Sequence, residues 1–157
     1  MASLNRPNAG AHEELYDAGM IFRKKVMGDD YVDNQLAKGT SEFMRPMQEI
    51  ATETAWGTIW TRPGLELKQR SLINIALLAS QGKEAELAGH IRYVNNGMMR
   101  IGALMHSFSG AVNNGASVLE IRETLLQTAL YSGIPTGMAS FRVAEAALAK
   151  LEKEDKI

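Results

Sequence analysis

The chain has 157 residues, enough for one domain with a substantial core. An apolar share of 45% and a charged share of 22% are ordinary for a soluble globular protein and exclude a disordered or collagen-like chain. A net charge of −1 without a basic stretch argues against nucleic acid and anionic membranes as partners.

No cysteine occurs, which removes disulfides, thiolate nucleophiles and thiolate metal ligands together. Met1 to Gly10 is polar and lacks the apolar run of a secretory signal. No segment approaches the roughly 20 apolar residues of a membrane span. The expectation is a soluble, cytoplasmic, single-domain protein over residues 1–157, flexible over 1–10 and with a loose charged tail over 152–157.

Helical periodicity runs through nearly every segment, and no alternating strand pattern emerges. Leu15, Ala18, Ile21, Phe22 and Val26 predict a helix over Glu14–Met27, stopped by Gly28. A short helix follows Asp30 and ends before Gly39. Ser41–Ala55 is the next predicted helix; Pro46 falls early in it or marks its true first turn. Trp56 to Leu65 combines two tryptophans, two glycines and a proline, and reads as the main loop.

Glu66–Ser80 reads as a helix buried on most sides, broken by Gly82. Lys83 to about Val94 forms another. Val94-Asn95-Asn96-Gly97 recurs as Val112-Asn113-Asn114-Gly115. Between the two copies Met98, Ile101, Leu104, Met105 and Phe108 keep helical spacing, which suggests an extra amphipathic helix between two Asn-Gly stops. Ser117-x-x-Glu120 is a capping box opening Val118–Tyr131. After Gly133 and Pro135, Thr136–Lys153 forms the last helix.

Glu86 and His90, four apart, share a helix face. A carboxylate can hold an imidazole proton on one nitrogen, and an imidazole near its ordinary pKa exchanges protons at neutral pH. Spacing alone favours a solvated pair over a catalytic one. Arg92 lies about 200° round the helix from His90 and must reach past its end or serve a neighbouring subunit. Arg62, Arg70 and Arg92 sit near breaks in the apolar pattern. Around one cavity they would suit a dianion; taken singly, each reads as a surface ion pair worth about 0–1 kcal/mol. Trp60 and Tyr131 could line a ligand or sit in the core. The histidines, His12, His90 and His106, do not form a metal-ligand pattern. There is no phosphate loop and no nucleophile elbow.

Several motifs occur together in one order. They are Val26-Met27-Gly28-Asp29-Asp30-Tyr31-Val32, Trp56-Gly57, Trp60-Thr61-Arg62-Pro63-Gly64-Leu65 and Arg70-Ser71-Leu72. Glu86-Leu87-Ala88-Gly89-His90-Ile91-Arg92, Asn114-Gly115, Glu120-Ile121 and Gln127-Thr128-Ala129-Leu130-Tyr131-Ser132-Gly133-Ile134-Pro135 complete the set. In these the chain resembles the carboxymuconolactone decarboxylase family, from about Gly19 to Leu148. The resemblance implies an all-α, AhpD-like helical fold assembling into a ring-like homo-oligomer, a trimer or hexamer. It implies a carbon–carbon lyase that needs no cofactor or metal and converts 4-carboxymuconolactone to 3-oxoadipate enol-lactone in protocatechuate breakdown. His90 and Glu86 would be catalytic. Arg62, Arg92, Arg70, Trp60 and Tyr131 would bind the small dianionic lactone. Alternatives are another small carboxylated or lactone substrate, or a catalytically silent helical oligomer. The peroxidase branch carries Cys-x-x-Cys-x-x-x-His where this chain has Lys83, Glu86 and His90, so thiol peroxidase chemistry is excluded.

One departure from the family pattern stands beside the proposed site. Members resembling this chain run from the position of Arg92 directly into a segment like Gly110–Gly115; here Tyr93–Ser109 intervenes. It is either a real insertion or a short intron read through in frame, since Arg-Tyr-Val can be encoded with GTATGT and Ser-Phe-Ser with TTCAG.

Overall fold

The computed structural model describes residues 6–99 and 114–154, with the backbone alone at 92–99, 151, 152 and 154. Every regular element among the described residues is helical. No described helix is long and apolar enough to cross a membrane. The chain divides into two compact units, Met1–Leu65 and Glu66–Ile157.

In the first unit, α1 spans Ala9–Met27 and α2 spans Asp29–Ala37. Helix α1 begins at Ala9 rather than at Glu14. It ends where the periodicity expected: Gly28, at φ 90°, gives its N–H to the Lys24 carbonyl at 2.8 Å. Helix α3, Arg45–Ile50, carries Pro46 in its first turn, where a missing N–H costs nothing.

Helix α3 then widens into a π-helix over Ala51–Ile59. The loop predicted from Trp56 is thus helical through Ile59, and only residues 60–65 turn. The Trp60 N–H reaches the Ala55 carbonyl, five residues back, at 2.9 Å. The Thr58 hydroxyl donates to the Glu53 carbonyl, also five back, at 2.9 Å. Gly57 is a packing residue, not a turn residue. A Cβ built there would collide with the Leu15 carbonyl oxygen, and one built on Gly19 with the Thr52 carbonyl oxygen. Helix α1 and the π-helix therefore cross backbone on backbone.

The second unit contains α4 (Leu67–Ser80), α5 (Glu84–Met99), α6 (Val118–Ser132) and α7 (Ile134–Glu154). Helix α4 packs on α5 and α6, and α7 packs on both of those. Ile75, Ala79, Leu87, Ile91, Ala116, Ile121, Leu125, Ala144 and Ala147 form its core. The expected capping box is present: the Glu120 N–H donates to Ser117 Oγ at 3.1 Å, and the Ser117 N–H to Glu120 Oε2 at 2.7 Å.

Two boundaries differ from expectation. Helix α5 continues through Asn95-Asn96-Gly97 to Met99; glycine in a helix interior costs only about 1 kcal/mol relative to alanine, which does not by itself end a helix. Helix α7 runs from Ile134 to Glu154, two residues earlier and one residue later than the predicted Thr136–Lys153. The expected helix over Met98–Phe108 lies, beyond Met99, outside the described residues, as does His106.

The crossing yields a paired test. Gly57→Ala forces a methyl into backbone atoms that cannot move aside, and should cost about 3 kcal/mol or more. At Gly10, in the first turn of α1, an added methyl would have nothing within 4 Å, so Gly10→Ala should be neutral or stabilising by up to about 1 kcal/mol. Denaturant titration of both variants checks the contrast.

Candidate active site

Helix α5 presents its site residues by the way it buries its core face. Leu87 and Ile91 are 1% and 0% exposed. Glu86 and His90 each stand one residue earlier, about 100° round the helix, at the border of that face. Glu86 is exposed and His90 half-buried. Among the described residues no hydrogen bond or ion pair joins them, so the expected couple shares a face without contact. Burial pushes the His90 imidazole below its ordinary value of 6.5, because an apolar surround disfavours the charged ring. Burial thus favours the uncharged ring, which has one N–H donor and one acceptor nitrogen.

The start of α4 is fastened beside the chain that leads into α6. Ser71 is fully buried and accepts a hydrogen bond from Asn114 Nδ2 at 2.6 Å. Lys68 Nζ meets Glu120 Oε1 at 2.9 Å. The Ser117 backbone N–H first, then Lys68 and the Ser117 hydroxyl, hold Glu120 down to about 2. Arg70, half-buried, lies between these anchors in sequence. Tyr131 is 80% exposed and borders an open groove of about 620 Å³ whose walls are α4 (Ile73, Leu77) and α6 (Thr124, Gln127). Arg92 lies on α5, but its side chain is outside the described residues.

Trp60 and Arg62 belong to the first unit. Trp60 is 7% exposed and stacked on Trp56, ring centres 4.9 Å apart and planes 27° from parallel. Arg62 is exposed in the turn after the π-helix.

Sequence reasoning missed the most densely charged cluster of this unit. Glu49 and Glu53 are 4% and 3% exposed. Arg6 grips Glu53 with two nitrogens, at 2.7 and 3.2 Å. Arg6 also lies 3.5 Å from Glu49, which Arg45 meets at 3.3 Å. His12 Nδ1 stands 2.7 Å from Glu53 Oε2. Arg6 also places a guanidinium nitrogen 3.1 Å from the same ring nitrogen. Arg6, in the stretch expected to be flexible, is therefore tied to the π-helix. Burial raises the Glu53 pKa, but the Arg6 and His12 hydrogen bonds outweigh it and leave the carboxyl below its ordinary range. The available signal was Glu49-x-x-x-Glu53, two acids one turn apart in an apolar helix, which demand cations.

Similarity to known proteins places this geometry. The model of the carboxymuconolactone decarboxylase family matches residues 45–100. A nitrosuccinic acid decarboxylase of Metarhizium robertsii is 41% identical over 143 residues, covering 91% of this chain and 87% of that protein. A 4-carboxymuconolactone decarboxylase of Acinetobacter baylyi is 32% identical over 133 residues, covering 85% and 86%. The chain belongs to the carboxymuconolactone decarboxylase family. The all-α expectation holds for the described residues, and the expected reaction class, a carboxy-lyase, is that of both relatives.

Two measurements follow from these environments. In an NMR titration the His90 ring should show a midpoint below 6.5, and His90 should contribute stability above 6.5 that is lost as pH falls through its lowered value; a midpoint at or above 6.5 contradicts the burial. Glu53, with its depressed pKa, contributes stability that is present above about 4.5 and lost as pH falls. Arg6→Ala should destabilise by somewhat less than the about 3–5 kcal/mol of breaking a fully buried pair, because the arginine is partly exposed. Glu53→Gln should flatten the acid limb of the stability profile.

Proposed function

We propose that the protein is a cofactor-free decarboxylase of small dicarboxylates that carry their own electron acceptor. The observation behind this reading is the 41% identity to a nitrosuccinic acid decarboxylase over nearly the whole chain. In nitrosuccinic acid the carbon that loses CO2 also bears the nitro group. The breaking C–C bond leaves its electron pair on that carbon, delocalised into the nitro oxygens as a nitronate. A proton then adds to carbon. The 32% relative supports 4-carboxymuconolactone as the second reading. There the pair flows through the ring alkene into the lactone carbonyl, giving an extended enolate that is protonated on carbon. Either substrate is its own electron sink, so no cofactor is called for.

The two substrates pose one problem to the protein: hold carboxylates, and stabilise an oxygen on which charge grows. Neutral His90 suits the second task as an N–H donor, since an uncharged imidazole is a poor acid but a good hydrogen-bond donor to an oxyanion. Glu86, on the same helix face but not bonded to the ring, would relay the proton to carbon. Arg62, Arg92 and Arg70 would take the carboxylates, with Trp60 and Tyr131 shaping the pocket. Assembly into a homo-oligomeric ring, trimeric or hexameric, is part of the proposal. It is supported by apolar side chains left in solvent at the α6–α7 corner, including Leu130 at 72% and Ile134 at 68% exposure. A cytoplasmic location fits the absence of cysteine.

The test is turnover of nitrosuccinate and of 4-carboxymuconolactone by the full chain and by a form lacking Tyr93–Ser109. His90→Ala should cut kcat about 10²–10³-fold, the loss of one oxyanion donor, and Glu86→Gln should lower it less. Wild-type turnover by both variants would end the assignment of these residues. Faster turnover of the lactone would favour the second substrate. Sequencing the mature transcript shows whether Tyr93–Ser109 is translated.

A further inference from the structure

Among the described residues several arginines are engaged, and Arg23 is not. Arg6 and Arg45 hold buried glutamates, and Arg122 meets Glu123. Arg23, half-buried in the second half of α1, makes no hydrogen bond or ion pair among the described residues, and its Nε is buried without an acceptor. A buried donor left unsatisfied costs free energy and calls for an explanation.

Arg23 lines a hollow of about 290 Å³ formed by α1, the end of α2 and the turn into α3. Its polar walls are Arg23, Gln35, Lys38, Thr40, Ser41 and Gln48, and no aspartate or glutamate lines it. The carboxylate of α2 that might have served, Asp33, is taken by Lys24 at 2.6 Å. Ser41 Oγ already accepts from the Met44 N–H at 3.2 Å, which leaves its hydroxyl proton to donate. Two cations, two amides and two hydroxyls thus face a small space that lacks an anion. A guanidinium binds a carboxylate through paired hydrogen bonds, and the second cation suits a second carboxylate.

We infer that the Arg23 hollow is a binding site for a small dicarboxylate. Succinate, which has no group to lose easily, is the probe. Isothermal titration and thermal shift of the full chain should show saturable binding of succinate and none of succinamide, its uncharged counterpart. Arg23→Gln should weaken succinate at least about tenfold, the scale of losing one charge-assisted pair. Arg23→Lys should fall between, keeping the charge but not the fork, and Lys38→Gln should weaken binding severalfold. Circular dichroism of each variant shows whether the fold is kept. Succinate entering the proposed catalytic site would add a second isotherm that Arg23→Gln leaves in place, and His90→Ala should leave the Arg23-dependent isotherm unchanged, which separates the two sites.

Equal binding by wild type and folded Arg23→Gln would overturn the inference, as would equal binding of succinamide. Loss of succinate binding in His90→Ala would also overturn it, by moving the dicarboxylate to α5. A carboxylate from a second copy of the chain could fill the hollow instead. In that case Arg23→Gln would lower the subunit number by sedimentation while wild type shows no succinate binding, and the small-ligand site would be refuted.

Discussion

Leu87 and Ile91 set the terms for everything on α5. By filling the space between α4, α6 and α7 they fix how that helix is turned about its own axis. A helix with two core residues four apart has no rotational freedom left, and the residues just before them must lie at the edge of the buried face. His90 is therefore half in an apolar surround without any special device. The same burial that positions the ring also lowers its affinity for a proton. Position and protonation state have one cause, which is why an uncharged imidazole donor is the role that suits it.

The two units place their paired charges differently. In the second, polar groups are placed at helix ends, where Glu120 closes a cap and Lys68 reaches it from α4. In the first, two buried glutamates are matched by Arg45 one turn away and by Arg6 and His12 from far away in sequence. Such breaks in the apolar interior are costly unless every partner is present. Arg6 and His12 thus tie the start of the chain and of α1 to the π-helix that carries Glu53.

Much of the architecture is legible from residues alone. Gly28 ends α1, Ser117 and Glu120 open α6, and the apolar run of α4 lies where its periodicity indicates. The π-helix is not legible, because Trp-Gly and Pro-Gly are also the composition of a turn, and a glycine chosen for close packing looks like one chosen for its backbone angle. The Arg6–Glu53 pair spans 47 positions, beyond any local pattern. Glu86 and His90 are readable as sharing a face, while their lack of contact is not, since spacing gives a direction but not a distance. Arg23 cannot be singled out from sequence at all: its distinguishing property is a missing partner, and only the positions of the surrounding side chains reveal that.

The bare crossing of α1 over the π-helix constrains descent as well as folding. Side chains elsewhere can drift by compensating one another, a smaller residue on one helix answering a larger one on the next. No such exchange exists where two main chains touch. Gly19 and Gly57 can only be kept together or abandoned together with the crossing, so in a relative of unknown structure their joint presence, in register, would mark this arrangement of the first unit before any coordinates were known.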